Sequence, residues 1–288
     1  MLLLEISTLF PGPLAGRVLQ SAGFRVVKVE PPSGDPLSAY SPTLYSLLNE
    51  GKEIVKVDLR AEGGGLVREL AKEADAVLTT LRPSTAAKLG VSYEHLREVK
   101  RELVYLSIVG YGDRDWPAHD LNLAGLAAHF VQSPPLALSV DVATALYAAY
   151  LVATRVWKRE WGYVELAMED VAYLLNLLAI AAQKDGRPVF TTGVYPLYRV
   201  YTCKGGAVTV AALEEKFWRR FVEAIGRPDL ADRAYDPAAA AEVEKAVGDM
   251  DCGELLALGA EVPIAPVRGL GQVADALDLR RLFERLKL

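Results

Sequence analysis

Short runs rich in Val, Ile and Leu alternate with segments of helical period through the first half of the chain, and this alternation constrains the fold more than any other feature. Residues 2–6, 25–29, 54–58, 75–79 and 103–108 read as strands, and 13–21 and 66–73 as helices. Strands separated by helices build βαβ units and hence a parallel sheet. The runs Arg25-Val-Val-Lys-Val and Leu103-Val-Tyr-Leu-Ser-Ile suit strands covered on both faces. The middle predicts two helices, 142–157 and 169–182, with a strand at 162–166 between them. After Asp185-Gly-Arg-Pro188 the pattern changes. Residues 197–202 and 207–211, split by Lys204-Gly-Gly206, predict an antiparallel hairpin; helical pieces at 216–225, 238–247 and 253–258 and a strand at 262–267 follow. The expected fold class is α/β: a large Rossmann-like domain with a parallel sheet over 1–188, completed by 271–288, and a smaller α+β domain over 189–270.

Composition narrows the function classes. An apolar fraction of 51% over 288 residues is enough to bury a sizeable core. A net charge of -5 argues against a nucleic-acid partner. Two cysteines, Cys203 and Cys252, are too few for a disulfide framework or a Cys-rich zinc site, and with three histidines no metal centre is expected. The longest uncharged apolar stretch, 142–154, stops at Arg155, short of the ~20 residues that span a bilayer. The N-terminus lacks a basic region and carries Glu5, so it reads as a strand rather than a signal peptide. No membrane partner and a cytoplasmic location are expected. Seven side-chain amides and three Met suggest a thermophilic source, with genomic base composition as the plainer explanation.

A parallel sheet binds ligands at the carboxyl ends of its strands. The first such connection, Ser7-Thr-Leu-Phe-Pro-Gly-Pro-Leu-Ala-Gly16, is neither G-x-G-x-x-G nor a P-loop, which leaves an NAD enzyme or an ATPase poorly supported. Glu30 reads as a ribose-binding acid or as a turn residue before Pro31-Pro32. His119, in His119-Asp-Leu-Asn122 after Gly110-Tyr-Gly112, reads as a structural or a catalytic imidazole. Asp141 follows Pro134-Pro-Leu-Ala-Leu-Ser-Val140 and precedes a long apolar helix, where the helix dipole favours an acid whatever its function. Glu214 and Glu215 are equal candidates for the first-turn acid of a later helix. His95 reads as a surface residue and His129 as a core one.

Several pieces, taken in order, carry a resemblance. Gly23-Phe-Arg-Val-Val-Lys-Val-Glu-Pro31, Asn49-Glu-Gly-Lys52 with Val57-Asp-Leu-Arg60, Leu81-Arg-Pro83 with Lys88-Leu-Gly90, and Leu103-Val-Tyr-Leu-Ser-Ile-Val-Gly-Tyr-Gly112 resemble the class III CoA-transferase (CaiB/BaiF) family over most of the chain. His119-Asp-Leu-Asn122, the segment ending in Asp141, and Ala212-Leu-Glu-Glu-Lys-Phe217 are most similar to the α-methylacyl-CoA racemases within it. Pro31 and Glu50 depart from the family pattern, which often has basic residues there. The resemblance implies catalytic residues His119, Asp141 and Glu214, with Glu214 preferred over Glu215. It implies CoA contacts from Leu59, Thr80, Leu81, Arg82, Lys88 and Gly112, an acyl-CoA substrate, no cofactor beyond its CoA moiety, and an interlocked homodimer. The expected activity is inversion of the α-carbon of a 2-methyl-branched acyl-CoA. Two groups flanking that carbon, His119 and Asp141, would exchange its proton through an enolate. One alternative is CoA transfer between carboxylic acids through an Asp141 anhydride. Another is a non-catalytic CoA-binding paralogue.

Overall fold

The structure is a computed structural model that describes residues 1–62, 64–130, 133 and 135–288. Pro134, which opens the expected run before Asp141, lies outside the described residues. The chain divides into two units, Met1–Asn176 with Leu279–Leu288, and Leu177–Asp278.

The first unit contains β1 (Leu2–Ile6), α1 (Pro11–Ser21), β2 (Arg25–Glu30), α2 (Leu37–Tyr40), α3 (Pro42–Asn49), β3 (Glu53–Lys56), α4 (Leu59–Glu62) and α5 (Gly65–Ala71). It continues with β4 (Ala76–Thr79), α6 (Pro83–Lys88), α7 (Tyr93–Arg97), β5 (Val104–Val109), α8 (Asp120–Leu126), α9 (Ser139–Lys158), β6 (Gly162–Ala167) and α10 (Met168–Leu175). All six strands pair in parallel in the order β3-β2-β1-β4-β5-β6. Strand order reverses between β1 and β4, and the crevice beyond their carboxyl ends is where such a sheet accepts a ligand.

Successive residues of a strand face opposite sides of the sheet. Leu3, Val26, Leu78 and Leu106 therefore join Leu14 and Leu19 of α1 and Ala145, Ala148 and Val152 of α9 in one core. Leu4, Val27, Val77 and Tyr105 join Val67 of α5, Ala86 of α6 and Leu96 of α7 in a second. Burial on both faces explains the near-continuous apolar runs of these strands.

The helix expected at 169–182 is interrupted. It ends at Asn176, whose side-chain amide donates to the carbonyls of Ala127 (2.7 Å) and Ala128 (3.2 Å), and α11 (Leu177–Lys184) begins the second unit. This boundary falls ahead of the expected break at 188, because α11 buries none of its side chains.

The second unit continues with β7 (Tyr198–Cys203), β8 (Gly206–Ala211), α12 (Glu215–Ala224), α13 (Ala239–Gly248), α14 (Cys252–Leu256), β9 (Ile264–Pro266) and α15 (Leu270–Ala276). The strands form an antiparallel sheet in the order β7-β8-β9. Gly205, at φ +92°, takes the left-handed backbone of the β7–β8 turn. Tyr201, Val208, Trp218, Phe221 and Val243 centre its core. Cys203 and Cys252, too few for a framework, nonetheless form one disulfide across a sequence separation of 49. The last helix, α16 (Leu279–Leu286), returns to the first unit and packs Phe283 against the α1/α9 core.

Candidate active site

At the switch point lies a cavity of 280 Å³. Thr8, Leu9 and Pro11 after β1, Thr80 and Arg82 after β4, and Ile108, Val109 and Gly110 at the end of β5 line it. Trp116, Pro117, Ala118, His119, Asp141 and Met168 complete the wall. The sheet topology thus places both His119 and Asp141 at one cavity, although 22 positions separate them in sequence (141 − 119).

Two neighbours from the His119-Asp-Leu-Asn122 motif hold this arrangement. The Asn122 side-chain oxygen accepts the backbone N–H of His119 at 3.2 Å. Asp120 Oδ2 accepts the backbone N–H of Asp141 at 2.9 Å and is itself buried. Asp141 sits in the first turn of α9 and is only 9% exposed. Burial pushes its carboxyl up to about 7, and the negative charge of Asp120 adds to the effect. Sequence reasoning saw Asp141 as a helix-start acid but missed Asn122 as the support of the His119 backbone and Asp120 as that of Asp141. Only Asn122 had a signal, its spacing: an amide three positions beyond the residue that precedes a helix can accept that residue's N–H. Asp120 lies 21 positions from its partner and had none.

A second cavity, of 500 Å³, shares Thr8 and Thr80 with the first and runs along the ends of β1, β2 and β3. Of the expected CoA contacts, Leu59, Thr80 and Leu81 line it, together with Pro31, Pro32, Asp58 and Arg60. Arg82 lines the smaller cavity, and its guanidinium donates to the Asp115 carbonyl at 3.2 Å. Gly112 lies in the adjacent loop, where its N–H donates to Glu169 at 2.8 Å. Lys88 is exposed in the last turn of α6 and lines neither cavity. Glu214 belongs to the second unit, where it is exposed at the start of α12.

Glu30 is neither a free ribose acid nor a simple turn residue. It is 2% exposed, accepts the Tyr45 hydroxyl at 2.9 Å and the Asp35 N–H at 3.3 Å, and lies 3.2 Å from Lys28 Nζ. Burial and that carboxylate push the Tyr45 phenol up to about 12. His95 accompanies Ser92 at 2.8 Å, and the half-buried His129 donates to the Ala172 carbonyl at 2.8 Å. Among the described residues, no three His, Cys, Asp or Glu side chains cluster as a metal site would require, and no helix is long and apolar enough to cross a membrane.

The family model for CoA-transferase family III matches residues 1–286. A probable fatty acyl-CoA transferase of Mycobacterium tuberculosis is 30% identical over 270 residues, covering 77% of this chain and 66% of the relative. An acetyl-CoA:oxalate CoA-transferase of Acetobacter aceti is 24% identical over 317 residues, covering 96% and 82%. The chain thus spans between 66% and 82% of the length of these relatives. A crystal structure of a hypothetical protein from M. tuberculosis superimposes with a TM-score of 0.84 at 26% identity, over 96% of this chain and 84% of that one. A CaiB/BaiF family protein from Brucella suis shares the fold, with a TM-score of 0.76 at 22% identity over 96% of this chain and 85% of that one.

Proposed function

This chain belongs to CoA-transferase family III, and from that premise we propose that it moves CoA between carboxylic acids through a covalent bond to Asp141. The observation that carries this reading is the Asp141 carboxyl, buried at the wall of the switch-point cavity and ionising near neutrality. As a carboxylate it attacks the thioester carbonyl of the donor acyl-CoA, releasing CoA thiolate and leaving a mixed anhydride. The thiolate attacks the Asp141 carbonyl of that anhydride, which expels the donor acid and leaves CoA on Asp141 as a thioester. The acceptor carboxylate attacks this thioester and frees the thiolate again. The thiolate then takes the acceptor acyl group and restores the carboxylate. Bonds and charges balance with no group beyond the CoA of the substrates. The 500 Å³ cleft takes the CoA moiety, with Leu59 and Leu81 along its wall and Arg60 and Arg82 supplying positive charge for its phosphates.

The racemase reading, our expectation from sequence, is favoured by one observation: His119 and Asp141 line the same cavity, as two-base proton exchange requires. The named relatives are transferases, and for that reason transfer is placed first. We also infer a homodimer. Leu146, Tyr147, Tyr150 and Trp157 of α9 and Leu174 of α10 are large apolar side chains left exposed, and covering them with a second copy would remove them from water. Its sedimentation mass should be twice 31.3 kDa.

A single incubation tests the reaction. Protein, a 2-methylacyl-CoA, succinate and hydroxylamine are mixed in deuterated water. Transfer predicts a hydroxamate at Asp141 by peptide mass spectrometry and succinyl-CoA among the products. Racemisation predicts deuterium at the α-carbon with neither of these. A bound thioester that undergoes neither change would favour the non-catalytic paralogue.

A further inference from the structure

We propose that Asp35 is a positioning residue that clamps the Leu9 backbone and so sets the wall of the cavity in which Asp141 reacts. Leu9 is a non-glycine residue at φ +68°, in the left-handed region that a branched side chain seldom adopts. It also lines the 280 Å³ cavity, so this unusual backbone forms part of the site. Something must hold it there, and the hydrogen bonds identify the holder. Asp35 Oδ1 accepts the N–H of Leu9 at 3.0 Å and that of Leu37 at 2.9 Å.

The clamp is itself fixed from below. Asp35 Oδ2 meets Lys28 Nζ at 2.6 Å, and both side chains are fully buried. Lys28 also reaches Glu30 Oε1 at 3.2 Å and Asn49 Oδ1 at 3.2 Å, and stands over the Tyr45 ring at 5.4 Å. Among the described residues, these ion-pair, hydrogen-bond and ring contacts of the ammonium group are with β2, α3 or the segment between them. A buried charge so enclosed has one arrangement, and it transmits that arrangement to Leu9 through Asp35. The same network touches both cavities, because Glu30 lines the larger one and Leu9 the smaller.

Neither Lys28 nor Asp35 lines the Asp141 cavity, so their effect on the chemistry passes through the loop after β1. The inference rests on Asp141 as the reacting group. A misplacement of about 1 Å in a reacting geometry can cost roughly 10²-fold in rate.

The test compares full-length wild type, Asp35→Ala and Asp35→Asn. Hydrogen exchange is followed in peptides covering residues 7–14 and, as a reference, β4 and β5. CoA transfer from acetyl-CoA to succinate gives kcat and KM, and Asp141 hydroxamate formation with hydroxylamine reports the reaction on which the inference rests. In Asp35→Ala, exchange in 7–14 should accelerate on the order of tenfold while β4 and β5 keep their protection. Its kcat should fall roughly 10²-fold with KM little changed. Asp35→Asn keeps an oxygen for the Leu9 and Leu37 amides, so it should retain most of the protection and lose less kcat. If Asp35→Ala does not fold, Asp35→Asn decides by the same measurements: whatever protection it loses in 7–14 must be matched by a loss in kcat, and a loss of one without the other overturns the proposal. Unchanged exchange in 7–14 overturns the proposal. So does faster exchange with kcat intact, or a lower melting temperature with both unchanged, which would make the role merely structural. If wild type forms no hydroxamate, the transfer reading falls, and the exchange comparison alone upholds or overturns the clamp.

Discussion

The two units hold themselves together by different means. Every buried charged side chain among the described residues lies in the first unit: Glu5, Lys28, Glu30, Asp35, Lys52, Asp120 and Asp141. The second unit keeps its charges at the surface, in pairs such as Arg227–Asp229, Arg233–Glu242 and Arg220–Glu261, and adds the Cys203–Cys252 bond. Burying ions costs stability that apolar residues of the same volume would not. A fold retains such groups where they fix a geometry; in this chain Glu30 and Asp141 line the two cavities at the strand ends, and Lys28, Asp35 and Asp120 bond to residues of their walls. The second unit follows the cheaper design, an apolar core tied by one covalent link.

The contrast is most exposed at Lys52. Its Nζ lies 2.7 Å from Glu5 Oε2 and 2.8 Å from the Pro13 carbonyl, and both side chains are fully buried. Burial lowers the Lys52 pKa, against the opposing pull of Glu5. Lys52→Met leaves the buried Glu5 carboxylate without its counter-ion, with only the Ser7 hydroxyl at 2.8 Å to meet it, and should cost about 3–5 kcal/mol in urea unfolding. The double variant with Glu5→Leu should recover most of that loss. A single variant as stable as wild type would show that the first unit does not depend on its buried ions.

Asp141 sharpens the same point through pH. Its carboxyl rises from 3.8 to about 7 on folding. The favourable contribution of the protonated acid is therefore complete below about pH 4 and is lost as pH climbs through 7. Asp141→Asn removes this dependence, so it should be more stable than wild type at pH 8 by up to about 4 kcal/mol and equal to it near pH 4. Parallel melting curves at pH 8 would contradict the burial argument.

The smallest effects belong to the second unit. Cys203→Ser should cost about 2–4 kcal/mol and loosen exchange in residues 177–278 while β1, β4 and β5 keep their protection. Arg220→Ala, at a single solvent-facing pair with Glu261, should leave the melting temperature unmoved. Equal losses from these two variants would erase the distinction drawn between covalent and surface ties.

Legibility in the sequence followed the same physics. Strands buried on both faces announce themselves as apolar runs, and all nine strands lie within a few residues of their expected positions. Helices of four to eight residues, such as α2, α4, α6 and α7, complete too few turns to show a period and were not visible. The break at Asn176 was hidden because its partners are carbonyls about 50 residues away. At the site, residue types left His119 and Asp141 open between structural and catalytic roles, and only the family resemblance singled them out. Burial of Asp141, the inward turn of Glu30 and the Lys28–Asp35 pair were not legible, because each depends on what the fold packs over it.

The first turn of α8 has a consequence for how this protein can change. Asn122 holds the backbone of His119, and Asp120, two residues earlier, holds the backbone of Asp141. One short helix therefore serves as a common mount for two side chains of the candidate site that come from different parts of the chain. A substitution that shifts α8 moves both at once, so an evolving or engineered variant cannot adjust one without re-aiming the other. Variation should accumulate instead on walls borne by separate elements, such as Trp116 and Met168, where cavity shape can drift while the mount stays still.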